Sequence, residues 1–238
     1  MVGIRSEPYF AAPATFVGHS FIQLNSSPSV RLFRMPAPVR RLFPDCLWEM
    51  PATNPPTIYL TFDDGPIPEE TPFVLETLAR FDARGTFFCV GDNLHRHPEV
   101  ARDVVAQGHR LANHTYHHIS GWRHSRARYL QDVGQCQALL DALQPEPRPL
   151  IRPPYGRITI PLAQALNSTH QVVMWDVLTY DYDRDFAAEK CLHHAIRNTR
   201  PGSITVFHDS LKASRNMRYV LPRYLQHFAE HGYRFERL

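Results

Sequence analysis

Thr61-Phe62-Asp63-Asp64-Gly65-Pro66 follows a short apolar run, Ile58-Tyr59-Leu60, that predicts a buried strand. Gly65-Pro66 forces a turn, so the two adjacent carboxylates lie at the end of this strand and not inside a sheet. Carboxylates near a buried strand are costly unless a partner charge or a metal compensates them. The stretch therefore predicts either a metal site, with one carboxylate as ligand and the other as base, or an aspartate pair of a turn or helix N-cap.

From Thr57 onward, strand-like and helix-like segments alternate, which is typical of a parallel sheet. The predicted strands are short, apolar and mostly bounded by Gly, Pro, Asp or His: Ile58–Phe62, Thr86–Val90, Arg110–Asn113, Leu150–Arg152, Gln171–Trp175, Ser203–Phe207 and Tyr233–Glu236. The predicted helices lie between them: Thr71–Arg80, Pro98–Gln107, Ala127–Leu143, Ile160–Leu166, Ala187–Asn198 and Val220–Glu230.

Reactive side chains follow several of these strands, always at the carboxyl end: Asp63-Asp64, His114, Arg152, Asp176 and His208-Asp209. A barrel gathers all of its carboxyl ends into one mouth, where the active sites of such barrels lie. An open sheet gathers only the ends beside its switch point. The sequence therefore predicts an α/β fold with a closed or nearly closed barrel of about seven parallel strands.

His114 and His118 are spaced i and i+4 directly after the third predicted strand. On a helical turn, this spacing points both imidazoles in the same direction. Two histidines with one carboxylate match zinc sites that keep one position open. The chain has 14 histidines, so such pairs also arise by chance. The position of this pair, alongside the Asp63-Asp64 strand end, favours the metal site.

The composition excludes several classes of protein. The net charge is +3, without the basic stripe that nucleic-acid binding requires. No apolar run reaches the about 18 residues of a membrane-spanning helix, and no feature indicates an obligate protein partner. No signal-peptide core is evident, so a cytoplasmic location is the default expectation.

The cysteines are widely separated and predict single reduced thiols: Cys46, Cys89, Cys136 and Cys191.

The first part of the chain differs in character from the rest. Residues 1–34 lack periodicity and are rich in Ser, Pro and Asn, which predicts an extended or disordered segment. One hypothesis is that Met35 is the true start of the protein and that the stretch before it is not translated. Residues 35–56 are interpreted as an approach segment to the first strand.

Taken together, these pieces resemble the polysaccharide deacetylases of the NodB-homology type, carbohydrate esterase family four. Three family motifs are intact: T-F-D-D-G at Thr61–Gly65, H-[ST]-x-x-H at His114–His118 and R-x-P-Y at Arg152–Tyr155. A fourth, L-x-H-D, is found as Val206–Asp209 with one conservative change. The resemblance covers residues 57–238 as one catalytic domain and implies a distorted seven-stranded (β/α) barrel.

The resemblance also implies a reaction, the metal-dependent removal of N-acetyl groups from an amino-sugar oligomer or polymer such as peptidoglycan or chitin. Zinc is the first expectation for the divalent metal, with cobalt and manganese as alternatives. By motif position, the implied metal ligands are Asp64, His114 and His118. The resemblance implies that Asp63 is the general base and that Arg152 orients it. It implies that His208 is the general acid and that the backbone N–H of Tyr155 binds the oxyanion. Val206 is expected to line the pocket for the acetyl methyl group.

Three aromatic residues lie beside the predicted mouth: Tyr116, Trp122 and Tyr182. They are candidates for stacking on the sugar rings of a substrate, with packing beneath the loops as the alternative for each of them.

One family motif, D-x-x-D-W, is altered here. Leu178 stands at its first aspartate, which is expected to support the acid histidine, and Tyr182 replaces the tryptophan. Asp176 and Asp181 are the two candidates to supply the missing carboxylate. Without such a partner, the pKa of His208 would fall toward or below its usual value of about 6.5.

Two other functions remain open from the sequence. The first is hydrolysis of another C–N bond or of an acetyl ester on the same scaffold, because the metal chemistry is shared. The second is a non-catalytic glycan-binding module. Leu178 favours the binding module, whereas the retained Asp63 and His208 oppose it, since binding requires neither a base nor an acid.

Overall fold

The computed structural model describes residues 31–238. Residues 32–238 form one compact unit. The predicted extended segment at 1–34 therefore lies almost entirely outside the described residues, and its last residues, Leu32 to Arg34, belong to the compact unit. No helix of the described part is long and apolar enough to cross a membrane.

The strands of the described chain form one parallel sheet in the order β5-β4-β3-β2-β1-β7-β6, and β8 pairs with the start of β1. Seven strands thus form a continuous path, which confirms the predicted α/β fold. The sequence missed β6, which is only two residues long. The strands are β1 Thr57–Asp63, β2 Thr86–Cys89, β3 Arg110–Asn113, β4 Leu150–Ile151, β5 Gln171–Val172, β6 Val177–Leu178, β7 Ile204–His208 and β8 Arg234–Glu236.

Most helices lie within one residue of their predicted bounds. The exceptions are α1 and α3, which the sequence did not predict, and α8, which begins six residues earlier than expected because Asn216 and Met217 are buried in its first turns. The helices are α1 Ala37–Leu42, α2 Thr71–Ala79, α3 Gly91–Arg96, α4 Pro98–Ala106, α5 Arg126–Leu143, α6 Ile160–Asn167, α7 Ala188–Asn198 and α8 Ser214–Glu230.

The sheet curls because its two edge strands are neighbours in the sequence. β5 and β6 lie at opposite ends of the strand order, yet only Val173–Asp176 connects them. Such a connection reaches roughly 18 Å, whereas the edges of a flat seven-stranded sheet are roughly 29 Å apart. The sheet therefore bends into a half-barrel whose edges approach each other, and all carboxyl ends face one mouth.

In the structure the approach segment extends back to Phe33, and it lies across the opening between these edges. Arg34 forms an isolated bridge with Val177 of β6, and Leu47 forms one with Val173 just after β5. Leu47 makes two backbone hydrogen bonds there. Its N–H donates to the carbonyl of Val172 at 2.8 Å, and its carbonyl accepts from the N–H of Met174 at 2.7 Å. Residues 34–49 thus occupy both free sheet edges, which would otherwise carry unpaired backbone groups.

A buried charge fastens this segment. The Asp176 carboxylate is fully buried and accepts hydrogen bonds from Arg34 Nε at 2.9 Å, Arg40 Nη2 at 3.0 Å and Ser203 Oγ at 2.7 Å. Arg40 also binds Glu49. Asp176, one of the two sequence candidates to support His208, is therefore engaged with the approach segment.

The alternation of β1 decides which side chains enter the barrel. Ile58, Leu60 and Phe62 are fully buried in the core between the sheet and the helices, where the Phe62 ring stacks on Phe87 with centroids 4.9 Å apart. Since successive side chains of a strand point to opposite faces, Asp63 points into the barrel. The four cysteines are buried and free, as predicted.

We expect Asp176→Asn to lower the free energy of unfolding by about 1–3 kcal/mol, because it removes the buried charge that the partly buried Arg34 and Arg40 bind. Chemical denaturation followed by circular dichroism measures this change. The matched control is Glu76→Gln, which removes an exposed pair with Arg80 and should change stability by less than about 0.5 kcal/mol. Equal stability of the two variants would contradict a fastening role for Asp176.

Candidate active site

The ends of β1, β3 and β7 build the floor of a cavity of about 520 Å³ at the mouth of the half-barrel. Asp63 and His208 are register partners in adjacent strands, so both side chains reach this floor. Most of the residues that the sequence singled out line the cavity together: Asp63, Asp64, His114, His118, Tyr155, Tyr182, Val206 and His208.

Asp64, His114 and His118 form a cluster with the composition of a metal site. Asp64 Oδ1 lies 3.3 Å from His118 Nε2 and 3.8 Å from His114 Nε2. The three ligand atoms all lie within 4.8 Å of one another. Ligands about 2.1 Å from a tetrahedral zinc lie roughly 3.4 Å apart. The donor set and its spacing therefore fit a small divalent metal.

The environment of His114 prepares its ring for such a site. Nδ1 donates to the carbonyl oxygen of Arg152 at 2.8 Å, so Nε2 carries the lone pair that faces Asp64. Burial lowers the pKa of His114 to about 4, although the Asp63 carboxylate opposes this effect. The ring is therefore neutral at physiological pH, as a metal ligand must be.

The segment from His114 to His118 is a loop and not the helical turn that the i, i+4 spacing suggested. Thr115 and His118 have φ angles of 64° and 53°, which no α-helix contains. The fully buried Asp132 of α5 holds this loop: its Oδ1 accepts from the N–H groups of Tyr116 at 2.7 Å and His117 at 2.9 Å. Tertiary hydrogen bonds therefore aim the two histidines.

The carboxylate of Asp64 stands on a strained turn. Its φ is 84°, and its carbonyl oxygen accepts from Asn93 Nδ2 at 2.7 Å. Burial acts to raise the pKa of Asp64, but the hydrogen bond from His118 and the nearby histidines outweigh it, and the pKa lies well below its usual value. Asp64 is thus an anion that faces the two imidazoles.

Asp209 fixes the turn that follows. It is fully buried and accepts hydrogen bonds from the Gly65 N–H at 3.1 Å and Thr71 Oγ1 at 2.6 Å. A Cβ on residue 65 would lie 2.0 Å from Asp209 Oδ2, so only glycine fits there. Burial raises the pKa of Asp209 to about 8, which is above the usual range for a carboxyl group.

Asp63 is paired with Arg152 inside the barrel. Arg152 is fully buried, and its Nη1 lies 2.6 Å from Asp63 Oδ1 and 2.8 Å from Thr61 Oγ1. Nη2 donates to the Met174 carbonyl at 2.9 Å, and the guanidinium lies 4.1 Å from the centre of the Phe88 ring. These contacts leave Arg152 one orientation, and with it Asp63.

His208 is supported by Asp181. Asp181 Oδ1 lies 2.7 Å from His208 Nδ1, and Oδ2 accepts the His208 backbone N–H at 2.8 Å. Burial by itself lowers the pKa of His208, but the Asp181 charge and hydrogen bond outweigh burial and raise it to about 9. Of the two sequence candidates, Asp181 is thus the carboxylate that supports His208. The lowered pKa of His208 that was expected with Leu178 at the usual aspartate position does not occur.

The walls of the cavity combine apolar and aromatic groups. Val206, Leu178 and Trp175 form an apolar side. The Tyr155 ring, which is 62% exposed, lies edge-on to His118 at 4.6 Å, and Tyr182 lies edge-on to His208 at 4.8 Å. Leu178 therefore contributes to the cavity wall instead of a catalytic charge.

Tyr116 is not among the residues that line this cavity, which favours the alternative that it packs beneath the loops. Its ring packs against the main core and over Gly91, whose position allows no Cβ beside it. Trp122 remains 63% exposed at the rim, where its Nε1 donates to the Ile158 carbonyl at 3.1 Å.

Three carboxylates of the site were missed or left undecided by the sequence. Asp209 is part of the L-x-H-D motif, and Asp181 was one of two alternatives. Asp132 shares the buried face of α5 with Tyr129, Val133 and Cys136. A carboxylate on an otherwise apolar helix face is the signal that would have found it, since buried charges require partners.

We expect Asp132→Ala to weaken binding of Zn²⁺ to the metal-free protein by about tenfold or more, because residues that orient ligands have effects of this size. Titration calorimetry measures the dissociation constant. Asp141→Ala is the matched control, since Asp141 lies on the same helix, is exposed and accepts a hydrogen bond from Gln137. Unchanged affinity in Asp132→Ala would show that the loop holds its shape without this residue.

Comparisons with known proteins identify the family of this chain. The family model described as "Polysaccharide deacetylase" matches residues 51–173. A peptidoglycan-N-acetylglucosamine deacetylase of Bacillus cereus is 32% identical over 192 residues, which cover 79% of this chain and 88% of the relative. A chitooligosaccharide deacetylase of Sinorhizobium fredii is 35% identical over 159 residues, covering 66% of this chain and 74% of the relative.

Solved structures give the same result. A peptidoglycan N-acetylglucosamine deacetylase, crystallised with a hydroxamate-type benzamide, superimposes with a TM-score of 0.76 at 26% identity, covering 82% of this chain and 91% of that one. The peptidoglycan deacetylase PdaC of Bacillus subtilis superimposes with a TM-score of 0.70 at 26% identity, covering 77% of this chain and 88% of PdaC. This chain therefore belongs to the polysaccharide deacetylases of carbohydrate esterase family four, which are hydrolases.

Proposed function

We propose that this enzyme hydrolyses N-acetyl groups of an amino-sugar oligomer or polymer of the peptidoglycan or chitin type. One observation carries the proposal: the Asp63–Arg152 pair and the Asp181–His208 pair meet at the cavity that holds the Asp64, His114 and His118 cluster. Amide hydrolysis needs a base for water, a polarised carbonyl and an acid for the leaving amine, and this cavity holds one group for each task.

Asp64, His114 and His118 would hold a divalent metal, with zinc as the first choice and cobalt or manganese as alternatives. Such a metal polarises a carbonyl and lowers the pKa of water from about 15.7 toward about 7. The neutral His114 ring and the anionic Asp64 are already in the protonation states that metal binding requires.

Asp63 is the proposed general base. The hydrogen bond from Arg152 engages Oδ1, so Oδ2 is the oxygen that accepts a proton from the attacking water. Because Arg152 is itself held by Thr61 and the Met174 carbonyl, the base does not rotate away from the cavity. A base held in one orientation contributes to catalysis by proximity as well as by its basicity.

His208 is the proposed general acid. With a pKa of about 9, the imidazole is protonated at neutral pH. It can then donate its Nε2 proton to the amine as the C–N bond breaks, while Asp181 holds the Nδ1 proton. A placed acid contributes about 10²–10⁴-fold to such a step.

Two further roles complete the proposal. The backbone N–H of Tyr155 is proposed to bind the developing oxyanion, a contribution of about 3–4 kcal/mol for one such donor. Val206, with Leu178 beside it, is proposed to receive the methyl group of the acetyl, because both lie on the apolar side of the cavity.

The relatives narrow the substrate class. Those named above act, by their names, on peptidoglycan N-acetylglucosamine or on chitooligosaccharides. Hydrolysis of another amide or of an acetyl ester is the second candidate, because the same metal chemistry serves both kinds of bond. The hypothesis of a non-catalytic glycan-binding module rested on Leu178, which stands where an aspartate was expected to support His208. Because Asp181 supplies that carboxylate, Leu178 no longer favours this hypothesis.

The pH dependence of the reaction tests the acid. His208 is charged below a pKa of about 9, so kcat/KM should fall as the pH rises through that value. Asp181→Asn removes the charge that raises the pKa, so the alkaline limb should move to lower pH and the rate at pH 8 should fall at least tenfold. Asp183→Asn, two residues away, is the control. An alkaline limb at the same pH in Asp181→Asn would rule out this coupling.

The reaction itself is tested by acetate release from N-acetylglucosamine oligomers of graded length and from acetylated xylan. The assay is run with EDTA and then with added Zn²⁺, Co²⁺ or Mn²⁺. We expect metal-dependent release from the amino sugars, and loss of at least a hundredfold in Asp63→Asn with retained metal binding. Release from the xylan alone would favour the esterase. Wild-type activity of Asp63→Asn would show that another group is the base.

A further inference from the structure

Two cations flank the mouth of the cavity and take no part in the chemistry described above. Arg157 and Lys212 both line the wall, and each lies over an aromatic ring. The Arg157 guanidinium carbon is 5.7 Å from the centre of the Tyr155 ring and 5.4 Å from that of Trp122. Lys212 Nζ is 5.1 Å from the centre of the Tyr182 ring.

The neighbours of Arg157 restrict its position. Arg157 follows the Tyr155-Gly156 turn, in which both residues have positive φ angles of 62° and 63°. A Cβ at Gly156 would meet the Trp175 ring at 2.5 Å, so this turn has little freedom. Trp122, held by its hydrogen bond to the Ile158 carbonyl, gives the guanidinium a second aromatic contact.

Neither cation has a carboxylate partner among residues 31–238. The ion pairs of this part of the chain engage other arginines, such as Arg40, Arg152 and Arg218, while Arg157 and Lys212 take part in none of them. A guanidinium without a carboxylate partner that contacts two aromatic rings keeps its N–H donors for a ligand, since an aromatic face satisfies charge but accepts few hydrogen bonds.

The charges of the cavity wall favour an anion. Its only acidic lining residues in the described chain are Asp63 and Asp64. Arg152 neutralises Asp63, and a divalent metal would more than neutralise Asp64. Asp181 balances the charge of His208. The two mouth cations therefore remain uncompensated, and a cleft of one sign concentrates ligands of the opposite sign.

We propose that Arg157 and Lys212 select amino-sugar glycans that carry a carboxylate beside the acetamido group which is hydrolysed. This inference rests on the proposed deacetylase function and narrows its substrate class to glycans that carry a carboxylate. Arg157 makes the larger contribution, because its planar guanidinium binds a carboxylate through two parallel hydrogen bonds, whereas the exposed Lys212 acts as a point charge.

The carboxylate has two possible sources in glycans: a lactyl ether on the N-acetylated ring itself, as in N-acetylmuramic acid, or a uronic acid as the neighbouring ring. Both present the same chemistry to Arg157, and they differ in the distance between the carboxylate and the acetamido group. A substrate panel that holds chain length constant separates them.

The experiment compares kcat/KM for acetate release from three oligosaccharides of equal length: a neutral N-acetylglucosamine oligomer, one that contains N-acetylmuramic acid, and one that alternates N-acetylglucosamine with glucuronic acid. At low salt, we expect kcat/KM for at least one anionic oligomer to be about tenfold or more above that for the neutral oligomer. A difference of this size corresponds to one pair of charge-assisted hydrogen bonds. Higher ionic strength should reduce the preference.

Variants test the two residues. Arg157→Gln should remove most of the preference, Lys212→Gln a smaller part, and Arg157→Lys should leave an intermediate value because charge remains and the fork is lost. The matched control is Arg148→Gln, which removes the same charge from an exposed residue at the far end of β4 and should leave all rates unchanged. The readout is the ratio of anionic to neutral rates, so a general loss of activity does not mimic the effect.

A wild-type enzyme that prefers the neutral oligomer, or that treats all three alike, overturns the inference while the deacetylase function stands. A preference that survives Arg157→Gln and Lys212→Gln together overturns the assignment of these residues. If no oligomer releases acetate, the proposed function fails. Binding of the same oligomers to Asp63→Asn protein, measured by calorimetry, then decides the anion preference independently.

Discussion

The buried ion pair between Arg152 and Asp63 is the contact on which the site depends. A guanidinium inside a barrel is costly unless partners compensate it, and here Nη1 binds the Asp63 carboxylate and Thr61 while Nη2 binds the Met174 carbonyl. These partners come from β1 and from the chain just after β5, so one side chain joins separate parts of the half-barrel. The Arg152 carbonyl also orients His114. The same residue thereby positions a base and a metal ligand.

Two aspartates of the site receive opposite tasks from their surroundings. Asp63 is held by a permanent cation, which leaves one oxygen facing the cavity, whereas Asp181 is buried against His208 and keeps that imidazole protonated. Between the pairs, Asp64 stays anionic because imidazoles surround it. Proton acceptance and proton donation are thus separated by which partner each carboxylate has, and the two pairs lie on adjacent strands β1 and β7.

The approach segment explains how a seven-stranded half-barrel avoids open edges. It lies mainly outside the residues that match the family model, which begins at residue 51, yet it bridges β6 and the end of β5 and is fastened at Asp176. The Leu178 N–H, beside the cavity, binds the carbonyl of Phe33 at 3.0 Å. The segment thus supports the strand that leads to Asp181.

The sequence by itself determined the parallel α/β architecture, the Asp64, His114 and His118 cluster and the positions of Asp63 and His208, because each is written in a short motif at a strand end. Its local pattern was misleading at His114–His118, where Asp132 imposes a loop. It left two alternatives for Tyr116, whose ring packs against the main core in the structure. Asp176 and Asp181 each bind a partner 27 residues away, Ser203 and His208 respectively. Only the tertiary structure decided between these carboxylates, because the register of β6 against β7 assigns their partners and no local pattern encodes that register.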